Sequence, residues 1–219
     1  MCPLARTEIP HAQCGSTLDF TPINQYRGGL ADAQLREDAV VLVVLLGGDC
    51  TGTLIAAAAG PVVLTAGHCV GLGDAERLAF NVEAAPDGDP LVTNGTVIER
   101  ADAPDYALIQ LDQLPAAAPT PLTTRSTDRL AIIQHPRGGP KVIAEGEFFA
   151  ECHGQISYID LDTLVGSSGA GVLNADGFLY GVHSDGDCDT NGGGDNSGWS
   201  AASIVAASAY LQDGDLADR

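Results

Sequence analysis

The feature that most constrains the fold of this 219-residue chain is a series of short apolar segments separated by glycine, proline and aspartate turns. Residues 39–46 illustrate the pattern, because they are almost wholly apolar, rich in valine, and end at Gly47-Gly48-Asp49. A β-branched run of this length favours a buried strand over a helix. Residues 200–211 instead carry apolar residues at helical spacing, which predicts a terminal helix. Many short strands followed by one helix predict an all-β protein built as a double barrel. The predicted strands cover residues 39–46, 53–59, 61–65, 78–83, 91–99, 106–111, 130–134, 141–150 and 155–161, with a hairpin over 172–182.

A proline-rich segment divides the chain into two lobes. Residues 115–121 hold three prolines in seven residues, a composition that opposes both a helix and a central strand. We therefore expect a first barrel over residues 38–114, a crossing segment over 115–121, and a second barrel with the terminal helix over 122–219. Residues 1–37 lack clean periodicity and are interpreted as an extended N-terminal arm lying along the body.

The charge and the cysteine content narrow the class of protein. The chain has 29 acidic and 10 basic residues, a formal net charge of −19, which argues against a nucleic acid or an anionic membrane surface as partner. Six cysteines in a chain of this size indicate an oxidising compartment, extracellular or periplasmic. Residues 1–4 lack the basic start and apolar core of a signal peptide, so we expect Met1 to replace a removed export signal.

Three motifs together indicate nucleophilic catalysis. Ser168 lies in a Gly-Ser-Ser-Gly turn, which can expose a hydroxyl and aim backbone N–H groups at one point. His68 closes the apolar segment 61–65, and Asp105 precedes the apolar segment 106–111. Taken separately, these residues would be read as a core histidine, a cap and a turn residue. In the order His, Asp, Ser they match one arrangement of the serine-hydrolase triad.

The segments around these residues resemble bacterial trypsin-like serine peptidases of the chymotrypsin superfamily, and within it the compact V8-like (glutamyl-endopeptidase-like) group. The resemblance covers residues 38–211 and is carried by residues 50–55, 65–69, 132–141 and 162–169. It implies two six-stranded antiparallel Greek-key barrels with a C-terminal helix. It also implies a secreted, monomeric serine endopeptidase that acts on protein or peptide substrates, with no cofactor and no metal.

The resemblance assigns roles to the triad residues. His68 would take the proton of Ser168, and Asp105 would hold the histidine tautomer. The backbone N–H groups of Gly166 and Ser168 would form the oxyanion hole. A disulfide between Cys50 and Cys69 is expected beside the histidine. The chain departs from the family at Ala170-Gly171, where a small polar residue and a proline are more common, and this affects the expected shape of the subsites.

The specificity pocket permits more than one interpretation. Asp162 lies six residues before Ser168, where trypsins place the acid at the base of their pocket, and this favours cleavage after Arg or Lys. His183 lies where glutamyl endopeptidases meet a substrate carboxylate, with Thr163 as a helper, which favours Glu or Asp. The acidic residues of this region tip the expectation toward basic substrates. A pocket for a small or apolar residue is the third alternative.

The segment around His183 carries the remaining expectations for substrate binding. The backbone of Ser184, together with Gly186, is expected to line the strand that receives the substrate, and Gly198 the pocket floor. The alternating oxygen ligands of residues 185–191 resemble the start of a calcium loop, but the twelfth position is Asn196 instead of Glu, so a solvated acidic loop is preferred.

The pairing of the remaining cysteines stays open at this point. Cys188 can bond Cys152, which would leave Cys2 to bond Cys14, or Cys188 can bond Cys2 or Cys14 and so tether the arm. A catalytically silent binding protein on a protease scaffold is the rival to the enzyme, and a non-proteolytic esterase would share the same triad.

Overall fold

The computed structural model describes residues 13–58 and 60–217. Expectations for residues 1–12, including Cys2, lie outside the described residues. The chain contains thirteen strands and two α-helices in this part. The strands are β1 Thr21–Pro22, β2 Val40–Val44, β3 Cys50–Ile55, β4 Val62–Thr65, β5 Ala75–Phe80, β6 Leu91–Asp102, β7 Asp105–Leu111, β8 Arg129–Gln134, β9 Val142–Cys152, β10 Gln155–Ile159, β11 Gly171–Asn174, β12 Leu179–Gly186 and β13 Asn196–Ser200. The helices are α1 Ala33–Glu37 and α2 Ala201–Ala207.

The first barrel closes from six antiparallel strands in the order β2-β3-β4-β7-β6-β5. β-Branched and leucine side chains alternate along these strands, so one set points inward from every strand. That inward set includes Val41, Leu54, Leu78 and Ile109, which pack into one buried cluster. The apolar runs of the sequence therefore form the core of this barrel.

The second barrel closes from β8 to β13. The sheet order is β9-β10-β13-β12-β11-β8, and β9 also pairs with β8, which joins the two ends. The long strand β9 makes this closure possible, because its first half pairs with β8 and its second half with β10. The two six-stranded barrels confirm the predicted fold class.

Another apolar cluster lies between the barrels. It joins Ile23 of the N-terminal arm, Leu108 of β7, Leu173 of β11, Val182 of β12 and Ile204 of α2. Because these residues come from the arm, from both barrels and from the helix, their burial holds those parts together. The groove above this junction receives side chains from both barrels.

The terminal helix differs from the predicted range of residues 200–211. Ser200 caps its start, because its side chain accepts a hydrogen bond from the Ser203 N–H. The helix ends at Ala207 because Ser208 adopts extended backbone and its hydroxyl accepts the N–H groups of Tyr210 and Leu211. A serine that binds nearby backbone in this way competes with the helix.

Three further elements were not predicted. Strand β13 lies in a polar, glycine-containing segment without apolar alternation, and it forms because β10 and β12 pair on either side of it. The arm, predicted to be extended, contains the five-residue helix α1 and contributes β1 to the edge of β9. In residues 13–58 and 60–217, no helix has the length and apolar character needed to span a membrane.

Candidate active site

His68 and Asp105 are brought together by the pairing of two neighbouring strands. His68 lies in a short helical turn directly after β4, and Asp105 is the first residue of β7. These strands pair with Thr65 opposite Ala107, so the end of one meets the start of the other. The first barrel therefore positions both residues at its rim.

The Asp105 carboxylate holds the histidine at two atoms. Oδ1 accepts the His68 backbone N–H at 2.9 Å, and Oδ2 lies 2.7 Å from Nδ1. An ionised carboxylate only accepts hydrogen bonds, so Nδ1 carries the proton and Nε2 keeps a lone pair. The Asp105 side chain is 13% exposed and that of His68 is 47% exposed, so the acid is sheltered while the imidazole is open to a substrate.

Ser168 reaches the same cleft from the second barrel. The turn that presents it contains Gly166 at φ +93° and Gly169 at φ +83°, a region that favours glycine. The turn rests on the first barrel, because the Thr51 N–H donates to the Ser168 carbonyl at 2.9 Å. Ser168 lines a cleft of about 440 Å³ together with His68 and Asp105.

The neighbouring serine has a structural role. Ser167 is fully buried, and its hydroxyl accepts the Leu164 N–H at 3.0 Å. Ser168 is half-buried and lines the cleft. Of the two adjacent hydroxyls, only that of Ser168 is available to a substrate.

The peptide groups before Ser168 are held in one orientation. The Val165 carbonyl accepts the Arg137 N–H, and the Ser167 carbonyl accepts the Ala170 N–H. A trans peptide places its N–H opposite its carbonyl, so the N–H groups of Gly166 and Ser168 point away from those partners. The use of these two N–H groups as an oxyanion hole stays a prediction.

Four of the residues expected to bind the substrate line the cleft beside Ser168: Thr163, His183, Ser184 and Gly186. Gly198 does not: it lies in β13 opposite His183, where a Cβ would lie 2.8 Å from the Val182 carbonyl carbon. Its small size allows β12 and β13 to approach, and its expected place at the pocket floor stays a prediction. Five further residues line the cleft, and the sequence did not predict that role for any of them: Asp102, Gln155, Leu164, Asp185 and Trp199.

Asp162 is not at the base of the pocket. It is 2% exposed and lies outside the lining of the cleft. Its Oδ1 accepts the Cys14 N–H at 2.7 Å, and its Oδ2 accepts the Asp19 N–H at 2.6 Å. The expectation that this carboxylate meets a substrate side chain is wrong, because both of its oxygens are engaged by the N-terminal arm.

His183 is a buried, neutral histidine. Burial, with a smaller contribution from the charge of His68, lowers its pKa to about 4. Its Nδ1 lies 2.6 Å from the Tyr158 hydroxyl and 3.1 Å from the Ser197 carbonyl. Tyr158 was missed from the sequence, because a tyrosine in an apolar strand looks like any other core aromatic.

The structure resolves two disulfides among the described residues. Cys50 bonds Cys69, as expected, and ties β3 to the histidine turn. Cys14 bonds Cys188, so the alternatives that pair Cys188 with Cys152 or Cys2 are wrong, as is a bond between Cys14 and Cys2. This disulfide tethers the arm to the loop that follows β12.

The acidic segment after β12 is organised by its own backbone. Asp189 Oδ1 accepts the N–H groups of Asn191 and Gly193. This pattern is that of a closed loop whose carboxylate already has partners.

A separate group of carboxylates lies away from the cleft. Oxygens of Glu37, Glu83 and Asp87 lie within 4.8 Å of one another. The Lys141 ammonium contacts Glu37 and lies 2.8 Å from Glu83 Oε1. Lys141 therefore forms a buried ion pair network with Glu37 and Glu83, and the exposed Asp87 lies at its edge.

Comparisons with known proteins identify the family of the chain. The chain matches the trypsin-like peptidase domain over residues 50–182. No curated protein sequence matches it.

Three solved structures illustrate the similarity of fold. A Glu endopeptidase in complex with MPD shares 21% identity, with a TM-score of 0.61 over 90% of this chain and 96% of that chain. The inactive form of Rv3671c from M. tuberculosis H37Rv shares 16%, with a TM-score of 0.61 over 78% and 85%. The serine endoprotease from Yersinia pestis shares 17%, with a TM-score of 0.62 over 77% and 61%. The match spans more than half of the sequence, so the chain belongs to the trypsin-like peptidase family and is a serine endopeptidase by class.

Proposed function

We propose that the protein hydrolyses peptide bonds through an acyl-enzyme formed on Ser168. The observation that carries this proposal is the 2.7 Å contact between His68 Nδ1 and Asp105, in a cleft that Ser168 also lines. With Nδ1 protonated, Nε2 is the atom that accepts a proton. A serine hydroxyl is a weak nucleophile without such a base.

The reaction then follows from these positions. Ser168 Oγ attacks the substrate carbonyl carbon while its proton passes to His68 Nε2, and the negative charge develops on the carbonyl oxygen. The N–H groups of Gly166 and Ser168 stabilise that charge, and one such donor is typically worth about 100–1000-fold in rate. The carbon–nitrogen bond breaks as His68 returns the proton to the leaving amine. Water, activated by the same imidazole, hydrolyses the ester.

For the residue before the cleaved bond, we infer a preference for glutamate over arginine or lysine. Asp162 is engaged by the arm, so a cationic side chain would enter a pocket without that counter-charge. Thr163 and His183, both buried, offer polar groups at its wall. A neutral imidazole donates a hydrogen bond to a carboxylate, and a bound carboxylate raises the pKa of that imidazole. Cleavage after Arg or Lys is the alternative.

Digestion of a proteome-derived peptide library tests both parts of this proposal. The wild type is compared with Ser168→Ala and with Ser167→Ala as a matched control on the adjacent hydroxyl. We expect cuts after glutamate with the wild type and with Ser167→Ala, and none with Ser168→Ala. Cuts after Arg or Lys would contradict the assigned pocket, and an absence of cuts would favour a binding protein on a protease scaffold.

We also propose secretion into an oxidising compartment, where the protein works as a monomer. The disulfides Cys14–Cys188 and Cys50–Cys69 support the compartment, because such bonds persist outside the reducing cytosol. Fractionation of the producing cells, followed by thiol labelling of the recovered protein, tests this. Protein recovered mainly in the cytosol with labelled cysteines would contradict it.

A further inference from the structure

A buried carboxylate next to the specificity pocket has partners from a distant part of the chain. Asp162 precedes Thr163, which lines the cleft, and it follows Leu161 in the segment that leads to Ser168. Its two oxygens bind backbone N–H groups that lie 148 and 143 residues earlier in the sequence. A carboxylate that accepts two backbone N–H groups forms strong, charge-assisted hydrogen bonds. The geometry therefore fixes the pocket segment to the arm.

The same stretch of the arm is attached to the opposite side of the pocket. Cys14 bonds Cys188, and the Gly15 N–H donates to the Asp189 carbonyl at 2.9 Å. Both contacts lie in the loop that follows β12. Ser184 and Gly186, at the end of β12 itself, line the cleft. Residues 14–19 thus contact the segment before Ser168 and the loop after β12.

Asn196 links these two sides a second time. Its Nδ2 donates to the Leu161 carbonyl at 2.8 Å and contacts Cys14 Sγ at 3.4 Å. Its Oδ1 accepts the N–H groups of Asp187 and Cys188. The arm, the segment before Ser168 and the loop after β12 therefore share one hydrogen-bonded network.

We propose that Asp162 is a positioning residue that sets the width of the specificity pocket through residues 14–19, and that it does not contact the substrate. This proposal rests on the peptidase activity proposed above. Asp162 and the Cys14–Cys188 disulfide act on the substrate only through the pocket walls at Thr163 and at Ser184 to Gly186.

The asparagine substitution tests the charge with little change of shape. In Asp162→Asn one of the two oxygens becomes an NH₂ group, which faces a backbone N–H and cannot accept from it. The double variant Cys14→Ser/Cys188→Ser releases the same stretch without touching Asp162. Asp160→Asn is the matched control, because Asp160 is an exposed carboxylate two residues away at φ +56°, a conformation that asparagine tolerates.

The experiment measures kcat and KM on peptides that differ only in the residue before the cleaved bond: Glu, Gln, Arg and Ala. The rate of labelling by a small alkyl fluorophosphonate, which needs Ser168 and His68 but does not fill the pocket, is measured in parallel. We expect Asp162→Asn and the double variant to raise KM for the preferred peptide about 10–100-fold. We expect preference among the four peptides to flatten, labelling to stay near the wild-type rate, and Asp160→Asn to behave as wild type.

Three results would overturn the proposal. A selective loss of cleavage after Arg would mean that Asp162 meets the substrate directly. Loss of labelling in step with peptide cleavage, in both the Asp162→Asn and the disulfide variants, would mean that the arm supports the triad or the whole fold instead of the pocket. If wild type and Asp160→Asn cleave none of the peptides and none of the library, the peptidase proposal itself fails, and the positioning role fails with it.

Discussion

At the scale of single residues, Asp105 links the backbone of the histidine turn to the imidazole ring. Its Oδ1 accepts a hydrogen bond from the His68 backbone N–H, and its Oδ2 contacts the ring atom Nδ1. One side chain therefore sets both the position and the tautomer of the imidazole. The adjacent residues Ser167 and Ser168 also differ in role. Ser167 is buried, and its hydroxyl accepts the Leu164 N–H within the turn. The arrangement of the cleft therefore depends on the hydrogen bonds of a few individual atoms, those of the Asp105 carboxylate and the Ser167 hydroxyl.

The Asp105→Asn variant tests the tautomer argument. An amide can present an NH₂ group to Nδ1, which favours the histidine tautomer with its proton on Nε2, the wrong atom for a base. We expect kcat to fall about 10,000-fold on a peptide substrate at neutral pH. A thermal melt checks that the fold is retained. A variant that keeps the melting temperature and also keeps wild-type kcat would contradict the role of Asp105.

At the scale of elements, a buried charge network joins the arm to both barrels. Glu37 ends α1, Glu83 follows β5, and Lys141 precedes β9, and all three side chains are fully buried. Burial raises the pKa of Glu37 to about 7, although the Lys141 charge opposes this. Hydrogen bonds from Glu37, Lys141 and Asn24 overcome burial and lower the pKa of Glu83. Of the two carboxyl groups, Glu37 is therefore the one whose protonated form burial favours.

This network predicts a pH dependence of stability with a definite sign. A carboxyl group whose pKa is raised in the folded state contributes stability below its unfolded pKa, and that contribution is lost as pH rises through about 7. We expect the wild type to lose on the order of 2 kcal/mol between pH 5 and pH 8 relative to Glu37→Gln. Urea unfolding at both pH values measures the difference.

The exposed residue Glu147 supplies the control for this comparison. Glu147→Gln should follow the wild type at both pH values. If Glu37→Gln also follows the wild type, the raised pKa of Glu37 is not the cause of the pH dependence.

Local patterns account for the elements that were predicted. The predicted strands of both barrels follow runs of apolar residues. His68, Asp105 and Ser168 each lie at the end or start of such a run or in a glycine turn. Strand β13 was missed because its pairing with β10 and β12 depends on contacts that its polar sequence does not encode. The position of Asp162 was predicted wrongly for the same reason, because its partners Cys14 and Asp19 belong to the arm.

At the scale of the whole molecule, the proposed triad needs residues from both barrels. The first barrel supplies His68 and Asp105 and the second supplies Ser168, while apolar residues such as Leu108 and Leu173 pack between them. The pairing of the barrels, the arm and the helix α2 therefore positions the site, and either barrel alone would lack part of it.

The net charge of −19 is also a property of the whole chain. Like charges on a compact surface repel each other, and salt shortens the range of that repulsion from about 10 Å at 0.1 M to about 3 Å at 1 M. We expect the melting temperature to rise by about 3–6 °C between 0.1 M and 1 M NaCl, and equally in KCl. An unchanged or lower melting temperature would mean that the acidic side chains do not repel one another appreciably in the folded state.

The most direct test of the account is to trap the acyl-enzyme and locate it. A slowly deacylating peptide ester is mixed with the protein, quenched in acid within the first turnover, and mapped by mass spectrometry after pepsin digestion. The proposed mechanism predicts an acyl group on the peptide that contains Ser167 and Ser168, present in Ser167→Ala and absent in Ser168→Ala. An adduct that persists in Ser168→Ala, or turnover of the ester without any adduct, would contradict Ser168 as the nucleophile.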